Sequence, residues 1–302
     1  MNGVLLLAGP TASGKTALAL MLAAAFDAEI VGADSRQIYR DMSIGTAAPS
    51  ADAQARVRHH LIGFLDPHER YSAARFVRDA IAAIDDISAR GKRAIVVGGT
   101  GFYLRALAGD IVLSAAYDAP LRARLAAEAR IHDTAFLAAW LQALEPARAA
   151  TIDPSDSYRV TRALEIALAA RSGSRHPDAL AAPQTLRTRN IRYRKAYLEI
   201  DTETLERNIA ARTDAMLAGG LFDEADRVGS AALAADAVGY RETLAYLAGW
   251  STLAELRVQL ARNTRRYAKR QATWFRTEPD LVRLPDDPAL WRALAREIPG
   301  WA

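Results

Sequence analysis

Short aliphatic runs alternate with longer stretches of mixed apolar and polar residues through the N-terminal third of the chain. Val4 to Ala8 (VLLLA) is apolar at every position and stops at Gly9-Pro10, the pattern of a strand buried on both faces in a parallel sheet. Lys15 to Phe26, rich in alanine and leucine, predicts a helix, and Ala28 to Val31 a second strand that ends at GADSRQIY. Ser72 is placed to cap a helix from about Ala73 to Arg90, which Gly91 stops. A third strand, RAIVV over 93–97, runs into Gly98-Gly99-Thr100-Gly101. Strands followed by polar and glycine-rich loops and then helices predict a parallel sheet flanked by helices.

From about Leu113 to Arg187 β-branched runs vanish and alanine and arginine dominate. Helices are predicted over Pro120 to Arg130, Thr134 to Leu144 and Ser157 to Arg171, with SGSRHPDALAAPQ as the linker out of an inserted all-helical domain. AYLEI, 196–200, predicts a strand returning to the sheet. Beyond it come a helix from Thr202 to about Leu217, ending at Gly219-Gly220, and a long one to about Trp274 behind the capping box Thr252-x-x-Glu255. The division expected is a core begun by 1–112, an insert over 113–187, and a core completed by 188–302 with a helical C-terminal region. Residues from about Asp286 onward predict a short helix packed on that core.

Composition narrows the chemistry. With 51% hydrophobic residues among 302 the chain fills a real core, and no run approaches the roughly 18 apolar residues of a membrane span. VLLLA is interrupted by Pro10, Gly14 and Lys15, and no basic residue precedes it, so a secretory signal is not expected. The expectation is a cytoplasmic monomer with no membrane partner. Cysteine is absent, which excludes disulfides and thiolate zinc sites, and the five histidines show no HExxH spacing. His59 and His60 are adjacent, so they point to different faces and are expected to be surface or packing residues.

Gly9-Pro10-Thr11-Ala12-Ser13-Gly14-Lys15-Thr16 fits GxxxxGK[ST] in full. Its glycines let the backbone wrap an anion, the following helix start adds its positive end, and Lys15 and Thr16 supply a charge and a Mg²⁺-facing hydroxyl. The expected fold is therefore α/β and P-loop NTPase-like. Phosphate binding, of ATP or another nucleotide, is not hydrolysis. Enzymes of that kind need an aspartate at the end of a second apolar strand, whereas here the strand runs into GGTG. A diphosphate ester presents the same geometry, so the loop is suited to a leaving group. Asp34 follows the second strand at the carboxyl rim, where such folds bind ligands; it can be a Mg²⁺ ligand, a general base or an N-cap. Thr100 emerges at the same rim and strengthens the catalytic reading.

Net charge is only +4, with a pI near 9.4, but its distribution is uneven. Residues 257–276 carry seven arginines and lysines and no acid, with Tyr267, Trp274 and Phe275 interleaved. A unipolar basic helix with aromatics suits a nucleic-acid backbone. Arg122, Arg124, Arg159 and Arg162 add a second basic wall, and two such walls would form a channel.

GPTASGKT, DSRQIY, IGTA-x-P (44–49), YSAARF, VGGTGFYLRAL (97–107), RALEI (162–166), GLFDEA (220–225), VGYRE (238–242) and YAKRQATWFR (267–276) occur in this order. Together they resemble the tRNA dimethylallyltransferases, over about residues 4–277. The resemblance implies transfer of a dimethylallyl group from dimethylallyl diphosphate to N6 of the adenosine 3′ to the anticodon. It also implies that residues 9–16 hold the diphosphate with Arg212, that Thr16 contacts Mg²⁺, and that Asp34 is the base, with Thr100 beside it. Asp34, Ser35, Arg36, Gln37 and Thr100 would meet the flipped-out base. Arg122, Tyr158, Arg159, Val160, Thr161, Arg162, Arg241, Arg266, Lys269 and Arg270 would hold tRNA. The donor's tail is expected near aliphatic residues after the phosphate loop. Ala48, Ser155 and Asn208 depart from the family pattern, and none is expected to touch the phosphate loop. An AMP or ADP prenyltransferase, a P-loop small-molecule kinase and a nucleotide-gated RNA-binding module are the rival readings.

Overall fold

Every residue of Val4–Ala8 is buried, as an all-aliphatic strand requires. The computed structural model describes residues 2–111, 113, 119–171 and 184–301. Along the chain lie β1 (Val4–Ala8), α1 (Lys15–Ala25), β2 (Ala28–Gly32), α2 (Ala51–Arg56), β3 (His59–His60), α3 (Ala73–Ala89), β4 (Arg93–Gly98) and α4 (Gly101–Ala108). Next come α5 (Ala119–Ile131), α6 (Thr134–Leu144), α7 (Pro146–Ala149) and α8 (Ser157–Arg171). The chain continues through β5 (Tyr193–Leu198), α9 (Thr202–Ala218), α10 (Leu221–Val228), α11 (Tyr240–Leu247), α12 (Leu253–Arg276), β6 (Leu281–Leu284) and α13 (Pro288–Arg296).

The six strands form one sheet in the order β3-β2-β4-β1-β5-β6, and every pairing is parallel. Because parallel strands all point one way, the segments leaving β1, β2 and β4 meet at one rim. Those segments carry Gly9, Asp34 and Thr100. Against one face of the sheet, Leu18 and Leu22 of α1 pack with Leu5, Leu7, Ile30 and Ile95 and with Trp291 and Trp301 from the C-terminal end. The expected short C-terminal helix is α13, buried through Trp291, Leu294 and Ala295.

The chain forms two compact units, Met1–Ile111 with Gln184–Ala302, and Val112–Pro183. In the second, α5, α6 and α8 share a core of Leu125, Leu137, Leu141, Val160 and Leu164. The predicted linker falls largely outside the described residues. Among the described residues no helix is long and apolar enough to cross a membrane.

Three features differ from the sequence pattern. The returning strand is Tyr193–Leu198, not 196–200, because Lys195 lies inside it, only 5% exposed, with its ammonium on Asp110, Glu278 (2.6 Å) and the Pro279 carbonyl (3.3 Å). A charge that sequence patterning excludes from a strand core is tolerated when paired and hydrogen-bonded. The edge strands β3 and β6 are too short to stand out, at 2 and 4 residues. A helix, α4, starts directly after the GGT that the pattern marks as loop.

Candidate active site

The phosphate loop is bound to its surroundings by its backbone. Gly14 takes φ +90° with open space where a Cβ would lie, the left-handed geometry that favours glycine. It occupies the N-cap position of α1, where no side chain caps the helix, so the first-turn N–H groups stay available to an anion. The Pro10 carbonyl accepts hydrogen bonds from Ser13 N–H (3.3 Å) and Lys15 Nζ (3.0 Å). The Ser13 hydroxyl is buried and has no protein partner. Water stripped from the Lys15 ammonium lowers its pKa to about 8, an effect that Asp34 opposes and Arg212 assists.

Arg212 of α9 reaches the loop from the far side. Its Nη1 donates to Thr11 Oγ1 (2.7 Å) and its Nη2 to the Thr46 carbonyl (3.2 Å). Thr11 N–H donates to Gln271 Oε1 (2.8 Å), and Gln271 Nε2 donates to the Gly99 carbonyl (3.0 Å). Gln271 thus ties the phosphate loop to the end of β4. The glycines after β4 make this approach feasible: a Cβ on Gly98 would lie 2.0 Å from the Ala33 carbonyl oxygen, and one on Gly99 2.0 Å from Gln271 Nε2.

Asp34 is both a cap and a wall of the site. Its Oδ1 accepts from the N–H of Arg36 (2.8 Å) and of Gln37 (3.4 Å), which fixes the turn. The residue also lines a cavity of about 160 Å³ together with Thr11, Arg212, Tyr267 and Arg270, and a smaller one with Lys15 and Thr16. Thr100 Oγ1 accepts from Ser35 N–H (3.1 Å) and donates to Ser35 Oγ (3.4 Å). Gln37 Nε2 is engaged by the carbonyls of Thr46 (3.1 Å) and Ala47 (3.0 Å), and Arg36 makes a two-pronged ion pair with Asp236 (2.7 and 3.2 Å). The apolar wall of the larger cavity comes from Met216, Val238 and Leu260. Leu18 and Leu22 after the loop are packed into the sheet core.

The basic helix α12 buries Leu256, Leu260, Ala268, Gln271 and Phe275 and keeps its cations outside. Arg257 pairs with Asp214 (2.6 Å), and Arg270 lies over the Tyr267 ring (5.6 Å). Arg266 and Lys269 are exposed. Lys269 borders a groove that also touches Ser13 and Gly14 of the loop.

Comparison with known proteins now bears on this arrangement. Residues 37–278 match the family model described as IPP transferase. The chain belongs to the IPP transferase family. A tRNA dimethylallyltransferase of Anaeromyxobacter dehalogenans is 46% identical over 98% of both chains, and one of Geobacter sulfurreducens 40% identical over 91% of this chain and 89% of its own. The crystal structure of the full-length tRNA isopentenylpyrophosphate transferase from Bacillus halodurans superposes with a TM-score of 0.68 at 34% identity, covering 97% of this chain and 94% of its own. A eukaryotic dimethylallyltransferase acting on tRNA reaches 0.77 at 26%, covering 98% and 78%.

Within this IPP transferase chain the helical unit presents a smaller basic surface than its arginine count suggests. Arg122 and Arg162 approach the buried carboxylate of Glu165 (3.7 and 2.6 Å). Tyr158 and Arg159 are exposed, with Arg159 near Asp156 (3.3 Å), while the Thr161 hydroxyl donates to the Ser157 carbonyl (2.7 Å). Val160 is only 1% exposed and sits in the core, so its side chain does not face RNA. Arg241 is exposed beside Glu242 (3.3 Å). Asn208, one of the departures from the family pattern, does touch the phosphate loop: its Nδ2 donates to the Ala12 carbonyl (2.9 Å).

Sequence reasoning missed two positioning groups. One is Gln271, hidden in a motif read for its charge. The other is Glu224 of GLFDEA, whose buried carboxylate accepts from Ile44 N–H (2.9 Å), Gly45 N–H (2.7 Å) and Tyr240 Oη (2.6 Å). It thereby holds the loop whose Thr46 carbonyl receives Arg212. Their motifs were visible, but the partners lie at least 172 residues away for Gln271 and 179 for the Gly45 contact.

Thr16, Asp34 and Gln37 are the lining residues of the smaller cavity with side-chain oxygens, and among the described residues no cluster of three or more acidic, histidine or cysteine side chains is poised for a metal. This suits a hard divalent cation held chiefly by a ligand's phosphates and water, not by a dedicated protein cage.

Proposed function

We propose that this chain transfers a dimethylallyl group from dimethylallyl diphosphate to the N6 amine of the adenosine 3′-adjacent to the anticodon in tRNA, releasing diphosphate. One observation carries the reading: Asp34 shares a cavity with Thr11 and Arg212, so a carboxylate and the groups of a diphosphate cradle face the same small space. Family membership adds the substrate class.

The allylic C–O bond breaks and its electron pair goes to the diphosphate. A C–N bond forms from the N6 lone pair, and the amine proton passes to Asp34. An adenine amine is a poor nucleophile that does not ionise beforehand at neutral pH, so a carboxylate must take the proton as the bond forms. Charge growing on the leaving group meets the uncapped first-turn N–H groups of α1, Lys15 and Arg212. Thr16 would help to hold a Mg²⁺ ion, which would supply further positive charge for the departing diphosphate. Thr100 fixes the turn that carries Asp34. The adenine leaves its stack at a cost of a few kcal/mol, which a single-stranded loop keeps low. The exposed cations Arg266 and Lys269, with Tyr158 and Arg159 of the helical unit, contact the tRNA backbone. The enzyme acts as a monomer in the cytoplasm.

Incubation with labelled dimethylallyl diphosphate, Mg²⁺ and unmodified tRNA tests the reading. Label in tRNA at the adenosine supports it, whereas label in AMP, phosphate transfer from ATP, or tRNA retention without product each replaces it with another activity.

A further inference from the structure

Arg36 and Asp236 meet although 200 positions separate them in the chain. Nη1 of the arginine donates to Oδ1 of the carboxylate (2.7 Å) and Nη2 to Oδ2 (3.2 Å), a fork that a guanidinium offers equally well to a phosphate. Both residues line the larger cavity, together with Asp34, Arg212 and Arg270. Their side chains are 34% and 68% exposed, so the pair stands where that cavity opens to solvent.

The backbones on both sides are held. Arg36 N–H donates to Asp34 Oδ1 (2.8 Å) in the turn after β2. Asp236 ends the 3-10 turn Leu233–Asp236, in which Ala234 and Ala235 are buried and Ala234 N–H donates to the Pro67 carbonyl (3.1 Å). A change of partner at Arg36 therefore needs only side-chain rotation. The pair is also weak enough to exchange: hydration and salt leave an exposed ion pair worth at most about fivefold in an equilibrium constant. A flipped nucleotide turns about its own backbone, so the phosphates beside it stay outside the pocket that takes its base. A base entering the larger cavity brings a phosphate to the opening where Arg36 lies. Asp236, left facing that phosphate, would repel it, whereas a carboxylate already 68% exposed can turn into water.

We propose that Arg36 is a subsite for one RNA phosphate at the opening of the larger cavity, and that Asp236 fills this subsite in the free protein until RNA displaces it. The inference rests on the reading of tRNA as the acceptor. Asp236 thus acts as an internal competitor, and each RNA that binds exchanges a carboxylate for a phosphate on the same guanidinium.

A double-mutant cycle on RNA affinity tests the exchange, because its coupling reads how much of the Arg36–Asp236 interaction is lost on binding. Unmodified anticodon stem-loop RNA is titrated without donor against wild type, Asp236→Asn, Arg36→Gln and the double variant. Each dissociation constant is referred to the active fraction from stoichiometric titration, so partial unfolding does not imitate coupling. Asp236→Asn should tighten binding about fivefold with Arg36 present and less than about twofold in the Arg36→Gln background. A ratio of at least about twofold between the two gains supports the exchange. A smaller ratio overturns it, since removing a negative charge then helps RNA generally while the pair survives in the complex. Unchanged or weaker binding by Asp236→Asn overturns it as well. The two readings fail separately: if the stem-loop binds and is prenylated but the cycle shows no coupling, only the exchange is lost, and if wild type binds no stem-loop, the tRNA reading falls and takes the exchange with it.

Discussion

Lys15 offers a test in which pH itself is the perturbation. Desolvation holds its pKa near 8 in the ligand-free protein, against an ordinary 10.5. A bound diphosphate restores a favourable partner and raises that value, so binding takes up a proton wherever the free lysine has lost one. The charged fraction in the free protein falls from about nine-tenths at pH 7 to about one-tenth at pH 9. The dissociation constant for diphosphate therefore rises about tenfold over that span, or about 1.4 kcal/mol. Calorimetric titration with inorganic diphosphate at several pH values measures it. Lys15→Arg, which keeps its charge throughout, should bind with little pH dependence, and Lys15→Met weakly and with little pH dependence. A wild-type constant that changes less than about twofold from pH 7 to 9 would refute the reasoning. The stability of the ligand-free fold should move the other way. Between about 8 and 10.5 the unfolded chain binds more protons at this lysine than the folded one, so stability increases as pH rises through that window.

Asp34→Asn preserves an oxygen for the N–H groups of Arg36 and Gln37 and removes only the basicity; kcat should fall by about 10² to 10⁴ with tRNA affinity within about twofold, by single-turnover assay and filter binding. Gln271→Leu strands the Thr11 N–H and the Gly99 carbonyl in a buried setting, and urea unfolding should show a loss of about 2 to 4 kcal/mol. Lys269→Ala should weaken tRNA binding similarly across sequences and reduce the slope of log K against log salt by about 1. An unchanged slope would remove that residue from the RNA contacts.

Much of the fold was legible because its elements announce themselves locally. The aliphatic run of β1, the Ser72 cap and the Thr252–Glu255 capping box all occur as the pattern predicts, with Ser72 Oγ accepting from Arg75 N–H at 3.1 Å and Glu255 reaching back to Thr252 N–H at 2.8 Å. The returning strand was misplaced because Lys195 is buried by virtue of acids at positions 110 and 278, which no window along the chain contains. Val160 shows the converse error. It stands in a motif read for RNA contact, but the helix turns it into the core of its own unit.

What the sequence by itself determined was the glycine-rich turn between β1 and α1, the parallel-sheet architecture and the kind of chemistry, since each depends on residues close together: glycine geometry, a helix start, a carboxylate just past a strand. Only the tertiary structure decided that Arg212 grips Thr11, that Gln271 bridges the loop to Gly99, and that Met216, Val238 and Leu260 furnish the apolar wall. These contacts join residues far apart in the chain, and their positions follow from packing helices against a twisted sheet, which local propensity does not encode.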